Sequence, residues 1–93
     1  MLKFEWDEIK NQANIKKHGI SFEEACTVFR DQDTIVAFDK INSVDEDRFV
    51  LIGFSIKFRL LLVCHCYRQN ETVVRIISAR KVTKSEAKEY EKN

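Results

Sequence analysis

The 93-residue chain contains no proline, two glycines, one methionine and one tryptophan. Without proline there is no polyproline linker, and Gly19 and Gly53 alone cannot build a glycine-rich phosphate loop or a collagen repeat. Long apolar runs are also missing. The longest, Leu60–Cys64, is five residues, far short of the roughly 20 that a membrane-spanning helix needs. The opening Met1–Glu8 is too acidic for a secretory signal, so a cytoplasmic location is expected. Cysteine is scarce and odd in number (Cys26, Cys64, Cys66), which argues against a disulfide framework. Cys64 and Cys66 flank His65, but on a strand the thiols face one way and the imidazole the other. With no further donor cluster nearby, no metal and no cofactor are expected.

What is present is enough for one core. Hydrophobic residues make up 44% of the chain and charged residues 33%, with seven phenylalanines. A chain this short buries roughly 60–65% of its unfolded surface, so residues 1–93 read as a single domain. The net charge of +1 hides a segregation. Residues 1–47 carry six Lys/Arg against eleven Asp/Glu, a net −5. Residues 48–84 carry eight Lys/Arg against a lone Glu71, a net +7. A basic stretch of this kind suggests a surface for an anion, and nucleic acid is the commonest large one. A solvated basic face without a partner is the plainer alternative.

Periodicity predicts an α+β fold with helices packed over an antiparallel sheet, in the order β-α-α-β-β-β-β-α. Leu2–Trp6 alternates like a short strand. Asp7 caps a helix over about residues 8–18, which Gly19 stops. Ser21 and Glu24 form a capping box for a second helix reaching about Arg30, with Phe22, Cys26 and Phe29 at helical spacing. From residue 34 the period changes to that of strands: Thr34–Asp39, Arg48–Ser55, Lys57–Arg68 and Thr72–Arg80. Leu60–Cys64 is apolar at every position, so its strand is the central one. Thr83 and Glu86 open a closing helix that Ala87 and Tyr90 dock.

Chemistry concentrates on the strand through His65. Arg59, Leu61, Val63, His65 and Tyr67 share a face by alternation. If the turn Gln69–Glu71 pairs Arg68 with Thr72, His65 falls opposite Arg75. A histidine that can move a proton beside an arginine that binds phosphate bidentately makes a phosphate site. A turn of different length slips the register and separates them. The plainer alternative is a half-buried histidine bonded to a backbone carbonyl, with Arg75 on the surface. On the first helix, Lys10, Asn14 and Lys17 or His18 share a face beside Asn11, turned to water or a partner. Lys17 and His18 also suit the helix C-terminus electrostatically. Asp45–Asp47 reads as a solvated turn, since two-metal nucleases need dispersed carboxylates. No GxGxxG, P-loop, HExxH or Gly-x-Ser-x-Gly signature occurs.

The motifs themselves resemble a family. Phe4-Glu-Trp-Asp7, Lys10-Asn11, Asn14 and Lys17-His18-Gly19-Ile20-Ser21-Phe22-Glu23-Glu24-Ala25 are similar to the start of the BrnT-type toxins. Leu62-Val63-Cys64-His65-Cys66-Tyr67-Arg68 and Arg75-Ile76-Ile77-Ser78-Ala79-Arg80-Lys81 are similar to that family's last two strands. The resemblance implies a RelE-like fold and a type II toxin–antitoxin ribonuclease that stalls translation in the bacterial cytoplasm. It further implies a BrnA-type ribbon-helix-helix antitoxin, two toxins on one antitoxin dimer, with operator DNA bound only through the antitoxin.

The mechanism expected on that basis is metal-independent transesterification, in which the RNA 2′-hydroxyl attacks the adjacent phosphate. Arg75 and Arg80 are expected to stabilise charge, and His65 to transfer protons. Arg68 and Lys17 would hold flanking phosphates, and Tyr67 would stack a base or donate a hydrogen bond. Arg80 has the opposite strand parity to Arg75 and joins the site only if the strand twists or bulges between them. The competing reading is a non-catalytic module that acts with its antitoxin as a transcriptional co-repressor.

Overall fold

The computed structural model describes residues 2–92. β1 (Lys3–Glu5) leads into α1 (Glu8–His18) and α2 (Phe22–Thr27), which continues as a 3-10 turn over Val28–Arg30. β2 (Ile35–Phe38), β3 (Phe49–Phe54), β4 (Leu60–Arg68) and β5 (Val73–Lys81) follow, and α3 (Lys84–Glu91) comes last. The order is the one the periodicity predicts.

Local chemistry sets the helix ends. The Asp7 carboxylate accepts from the N–H groups of Ile9 and Lys10, and Gly19 ends α1 at φ 71°, a left-handed conformation that suits glycine. Ser21 caps α2 by accepting from the Glu24 N–H at 3.0 Å. Glu24 does not complete the expected box. Its carboxylate turns inward, where it accepts from Arg59 and from the Ser55 hydroxyl, tying the β3–β4 hairpin to α2. The Arg59 hydrogen bond holds the Glu24 carboxyl below the usual range despite its burial. At Thr83 both halves of the box form.

The five strands make one sheet in the order β1-β5-β4-β3-β2. β1 runs parallel to β5, and the other pairs are antiparallel. β4 is central, as its apolar run requires. One face carries Leu51, Leu61, Val63, Val74, Ile76 and Ala79, and it packs against Ile20, Phe22, Ala25 and Val28. This buried layer supplies the main stabilising term, at about 25 cal/mol per Å² of apolar surface.

Asn11 and Asn14 do not face water or a partner; both are buried. Asn14 donates to the carbonyls of Ile20 and Ala79, each at 2.8 Å, and accepts from the Ala79 N–H at 3.2 Å. β1 pairs with β5 only as far as Arg75, so the Asn14 carboxamide occupies the β5 edge where β1 has ended. Asn11 accepts from the Phe22 N–H at 2.8 Å. A helix with few apolar residues is thus anchored by two buried amides.

Two details of the β4–β5 hairpin determine what the sheet displays. Gln69, Asn70 and Glu71 all have positive φ (51°, 56° and 67°), and Arg68 pairs with Val73 rather than Thr72. Further along, Cys64 pairs with Ser78 and His65 with Ile76, leaving Ile77 as a bulge.

Candidate active site

The longer turn separates the expected His–Arg pair. Arg75 stands opposite Cys66, and His65 stands opposite Ile76. The two side chains therefore leave opposite faces of the sheet. His65 lies on the core face and is fully buried. Phe29, Phe49 and Tyr67 surround its ring, with centroids 5.0, 6.1 and 5.4 Å away. Its Nδ1 is 3.3 Å from the Val63 carbonyl, and among the described residues its Nε2 has no hydrogen-bond partner. Burial pushes its pKa below the ordinary histidine value. The expected placement of His65 beside Arg75 for proton transfer does not occur, and the ring contacts neither solvent nor that arginine. Tyr67 occupies the same core face, half-buried against Phe49 at 5.5 Å. It is not beside the arginines, as base stacking next to them requires.

The other face collects three arginines. The bulge at Ile77 reverses strand parity, so Arg75, Ser78 and Arg80 share a face and stand opposite Cys66, Cys64 and Leu62. The condition for Arg80 to join Arg75 is met. Arg68, two residues past Cys66 on β4, extends from the same face diagonally to Arg75.

Each of these arginines is held by a carboxylate from a different element. Arg68 gives both terminal nitrogens to Glu46, at 2.7 and 3.2 Å. Arg80 gives both to Glu86, at 2.8 and 2.9 Å. Arg75 gives Nη1 alone to Glu5, at 2.7 Å. Glu46 is therefore not part of a merely solvated turn; the Arg68 bond holds its carboxyl below the usual range. Glu86, bonded by Arg80 and by the Thr83 N–H, is held at about 2. Arg59, Arg68, Arg75 and Arg80 of the basic stretch each contact a glutamate. Four of the eight basic residues in that stretch are thus paired in space, and the arginine face is a set of ion pairs rather than a bare positive patch.

α3 covers one end of this face. Tyr90 packs its ring on Phe54 at 5.4 Å and donates its hydroxyl proton to Asp31 at 2.6 Å. Beside it lies a groove of about 530 Å³ lined by Val50, Leu62, Cys64, Ser78, Arg80 and the 39–42 segment. Lys17 is exposed in the last turn of α1, on a separate element that closes the β5 edge. Among the described residues, no group of three or more His, Cys, Asp or Glu could hold a metal ion. None of the described helices is long and apolar enough to cross a membrane.

Sequence reasoning misses the carboxylates. Glu86 is legible as a helix cap but not as an arginine partner. Glu5 and Glu46 reach their arginines through the β1–β5 pairing and the path of the segment before β3, which no local pattern encodes.

The family described as the ribonuclease toxin BrnT of type II toxin–antitoxin systems matches residues 6–86. The chain belongs to the BrnT family. It is therefore a ribonuclease toxin of a type II toxin–antitoxin system, with RNA as substrate and an antitoxin as partner. The 1.1 Å crystal structure of the BrnT ribonuclease toxin from Brucella abortus shares the fold, with a TM-score of 0.69 and 24% sequence identity. That alignment covers 90% of this chain and 100% of the Brucella chain. A comparison with curated protein sequences gives no match. The BrnT match takes in Arg68, Arg75 and Arg80, together with Glu46 and Glu86, and begins one residue after Glu5.

Proposed function

We propose that the arginine face carries a metal-independent endoribonuclease site that cuts RNA by 2′-hydroxyl transesterification. One observation carries this reading: the Ile77 bulge aligns Arg75 and Arg80 on one stiff sheet face, with Arg68 diagonal to Arg75. Arginines fixed on adjacent strands hold a phosphodiester with little reorganisation as charge grows on the phosphorane oxygens. Arg75 and Arg80 stabilise that charge. Arg68 and Lys17 hold flanking phosphates, and the groove beside Arg80, where Val50 and Leu62 lie among polar side chains, accepts a base next to the bound backbone. His65 supports the sheet from its other side and takes no part in proton transfer, and Tyr67 packs with it.

Cleavage by such a site depletes RNA and inhibits translation in the bacterial cytoplasm. The partner that restrains it is a BrnA-type ribbon-helix-helix antitoxin. Two toxins sit on one antitoxin dimer, and operator DNA is bound only through the antitoxin. An acidic antitoxin segment competes for the same arginines by exchanging with Glu5 or Glu46.

Cleavage and antitoxin binding by Arg75→Ala and Arg75→Glu test this reading. Arg75→Ala should lose RNA cleavage by roughly a hundredfold or more without unfolding. Arg75→Glu should also weaken the antitoxin complex. Normal cleavage by Arg75→Ala would remove the face from the chemistry, and unchanged antitoxin affinity in Arg75→Glu would move inhibition to another surface.

A further inference from the structure

Of the three arginines on this face, Arg75 alone is held by one bond. Arg68 and Arg80 are each engaged through both terminal nitrogens, and Arg80 also donates to the Lys81 carbonyl at 3.1 Å. Arg75 spends one donor on Glu5 Oε2. Among the described residues its Nε and Nη2 have no partner, and neither does the second oxygen of Glu5. The pair is therefore intact and half-open at once. Its members are register partners, Glu5 on β1 and Arg75 on β5, with side chains 37% and 32% exposed respectively.

We infer that Glu5 is the general base of the RNA cleavage, taking the 2′-hydroxyl proton while Arg75 holds the adjacent phosphate. The inference rests on the reading of the arginine face as the phosphate site. In a ribonucleotide, the 2′-oxygen and the non-bridging oxygens of the neighbouring phosphate lie side by side. A carboxylate and a guanidinium already in contact address both at once. The competing proton acceptors are committed elsewhere. Glu24 is buried against Arg59 and Ser55, and Glu46 meets the Arg68 fork with both oxygens. Glu86 is locked between Arg80 and the Thr83 N–H, and at about 2 it is too weak a base. His65 is sealed on the far side of the sheet.

In the step itself, the bond from the 2′-oxygen to phosphorus forms as the bond from phosphorus to the 5′-oxygen breaks. The 2′-proton passes to the free oxygen of Glu5. The departing 5′-oxygen takes a proton from water, and the hydroxide left behind recovers the proton from Glu5. Protons and charge balance without a further reactant, and the products are a 2′,3′-cyclic phosphate and a 5′-hydroxyl.

Single-turnover cleavage by Glu5→Gln, Glu5→Ala and Arg75→Ala tests the assignment. Glu5→Gln preserves shape and a hydrogen bond to Arg75 and removes a negative charge, so it should bind a non-cleavable 2′-deoxy oligonucleotide at least as tightly as the wild type. It should cleave roughly a hundredfold or more slowly. Glu5→Ala should regain rate with added carboxylates, acetate above formate at equal concentration, because the stronger proton acceptor drives the step. Arg75→Ala should respond to neither. Near-normal cleavage by Glu5→Gln, or equal rescue by acetate and formate, would overturn Glu5 as the base, since the second pattern marks a contact that only holds Arg75. If Arg75→Ala itself cleaves normally, the phosphate site is elsewhere and both readings fall. If Arg75→Ala is dead while Glu5→Gln is active, only the base assignment falls.

Discussion

Arg75 and Arg80 share one face of β5 because Ile77, between them, is left unpaired against β4. Without that bulge the two guanidinium groups would flank the sheet and could not meet one phosphodiester. They differ in their ties to the fold. Arg80 holds Glu86, which also accepts from the Thr83 N–H at the start of α3. Arg80→Ala should therefore loosen α3 and cost about 1 kcal/mol, the usual scale of a lost cap and partly exposed ion pair. Arg75→Ala should leave thermal stability nearly unchanged. Thermal melts of the two variants check this; equal losses would mean that α3 does not depend on the Arg80–Glu86 contact.

His65 predicts a pH dependence of stability. Its folded pKa is depressed by burial, so below about 6.5 the unfolded chain takes a proton that the folded chain refuses. Its contribution is intact above that value and is lost as the pH falls toward the lowered folded pKa. The slope cannot exceed about 1.4 kcal/mol per pH unit. Between roughly pH 6.5 and 5 most carboxylates remain ionised, which isolates the effect. Urea unfolding across that range should show declining stability in the wild type and a flatter profile in His65→Phe. Parallel profiles would mean that His65 takes up its proton without leaving the aromatic cage.

Glu46 occupies the fork of Arg68 and so competes with phosphate for it. Glu46→Gln should tighten RNA binding several-fold. It should also steepen the dependence of affinity on salt by about 0.7 in the log–log slope, the value of one added phosphate contact to single-stranded RNA. A salt titration of binding to a 2′-deoxy oligonucleotide measures both. Unchanged affinity and slope would show that Arg68 does not touch the nucleic acid.

Much of the fold is legible in the sequence. Asp7, Gly19 and Thr83 mark helix ends by side-chain chemistry that acts within a few residues. The apolar run at Leu60–Cys64 identifies the central strand because only a doubly covered strand tolerates it. The site is less legible, for two reasons. A hairpin register depends on the number of residues in its turn, and Gln69–Glu71 adopts left-handed backbone without a glycine to announce it. The bulge at Ile77 carries no sequence mark either. One shift moved His65 to the face opposite Arg75, and the other brought Arg80 onto the same face. Asn11 and Asn14 look like surface residues because amides usually are, yet here Asn14 satisfies buried backbone groups at a sheet edge and Asn11 satisfies one at the start of α2.

That turn makes its own prediction. Glu71 holds φ 67°, a conformation that disfavours side chains and that glycine adopts freely. Glu71→Gly should stabilise the protein by about 0.5–1 kcal/mol, raising the melting temperature by roughly 2–8 °C in a domain of this size. A melting temperature that falls would show that the turn relaxes in solution to a register other than Arg68 opposite Val73.

Analysis of the RNA ends left by cleavage in EDTA tests the central claim most directly. A short RNA of defined sequence is cut by the purified toxin, and the 3′ ends are identified by mass. Wild-type protein should yield a 2′,3′-cyclic phosphate and a 5′-hydroxyl with the chelator present, and Arg75→Ala should yield no cut. A free 3′-hydroxyl, or cleavage that EDTA abolishes and magnesium restores, would contradict metal-free transesterification on the arginine face.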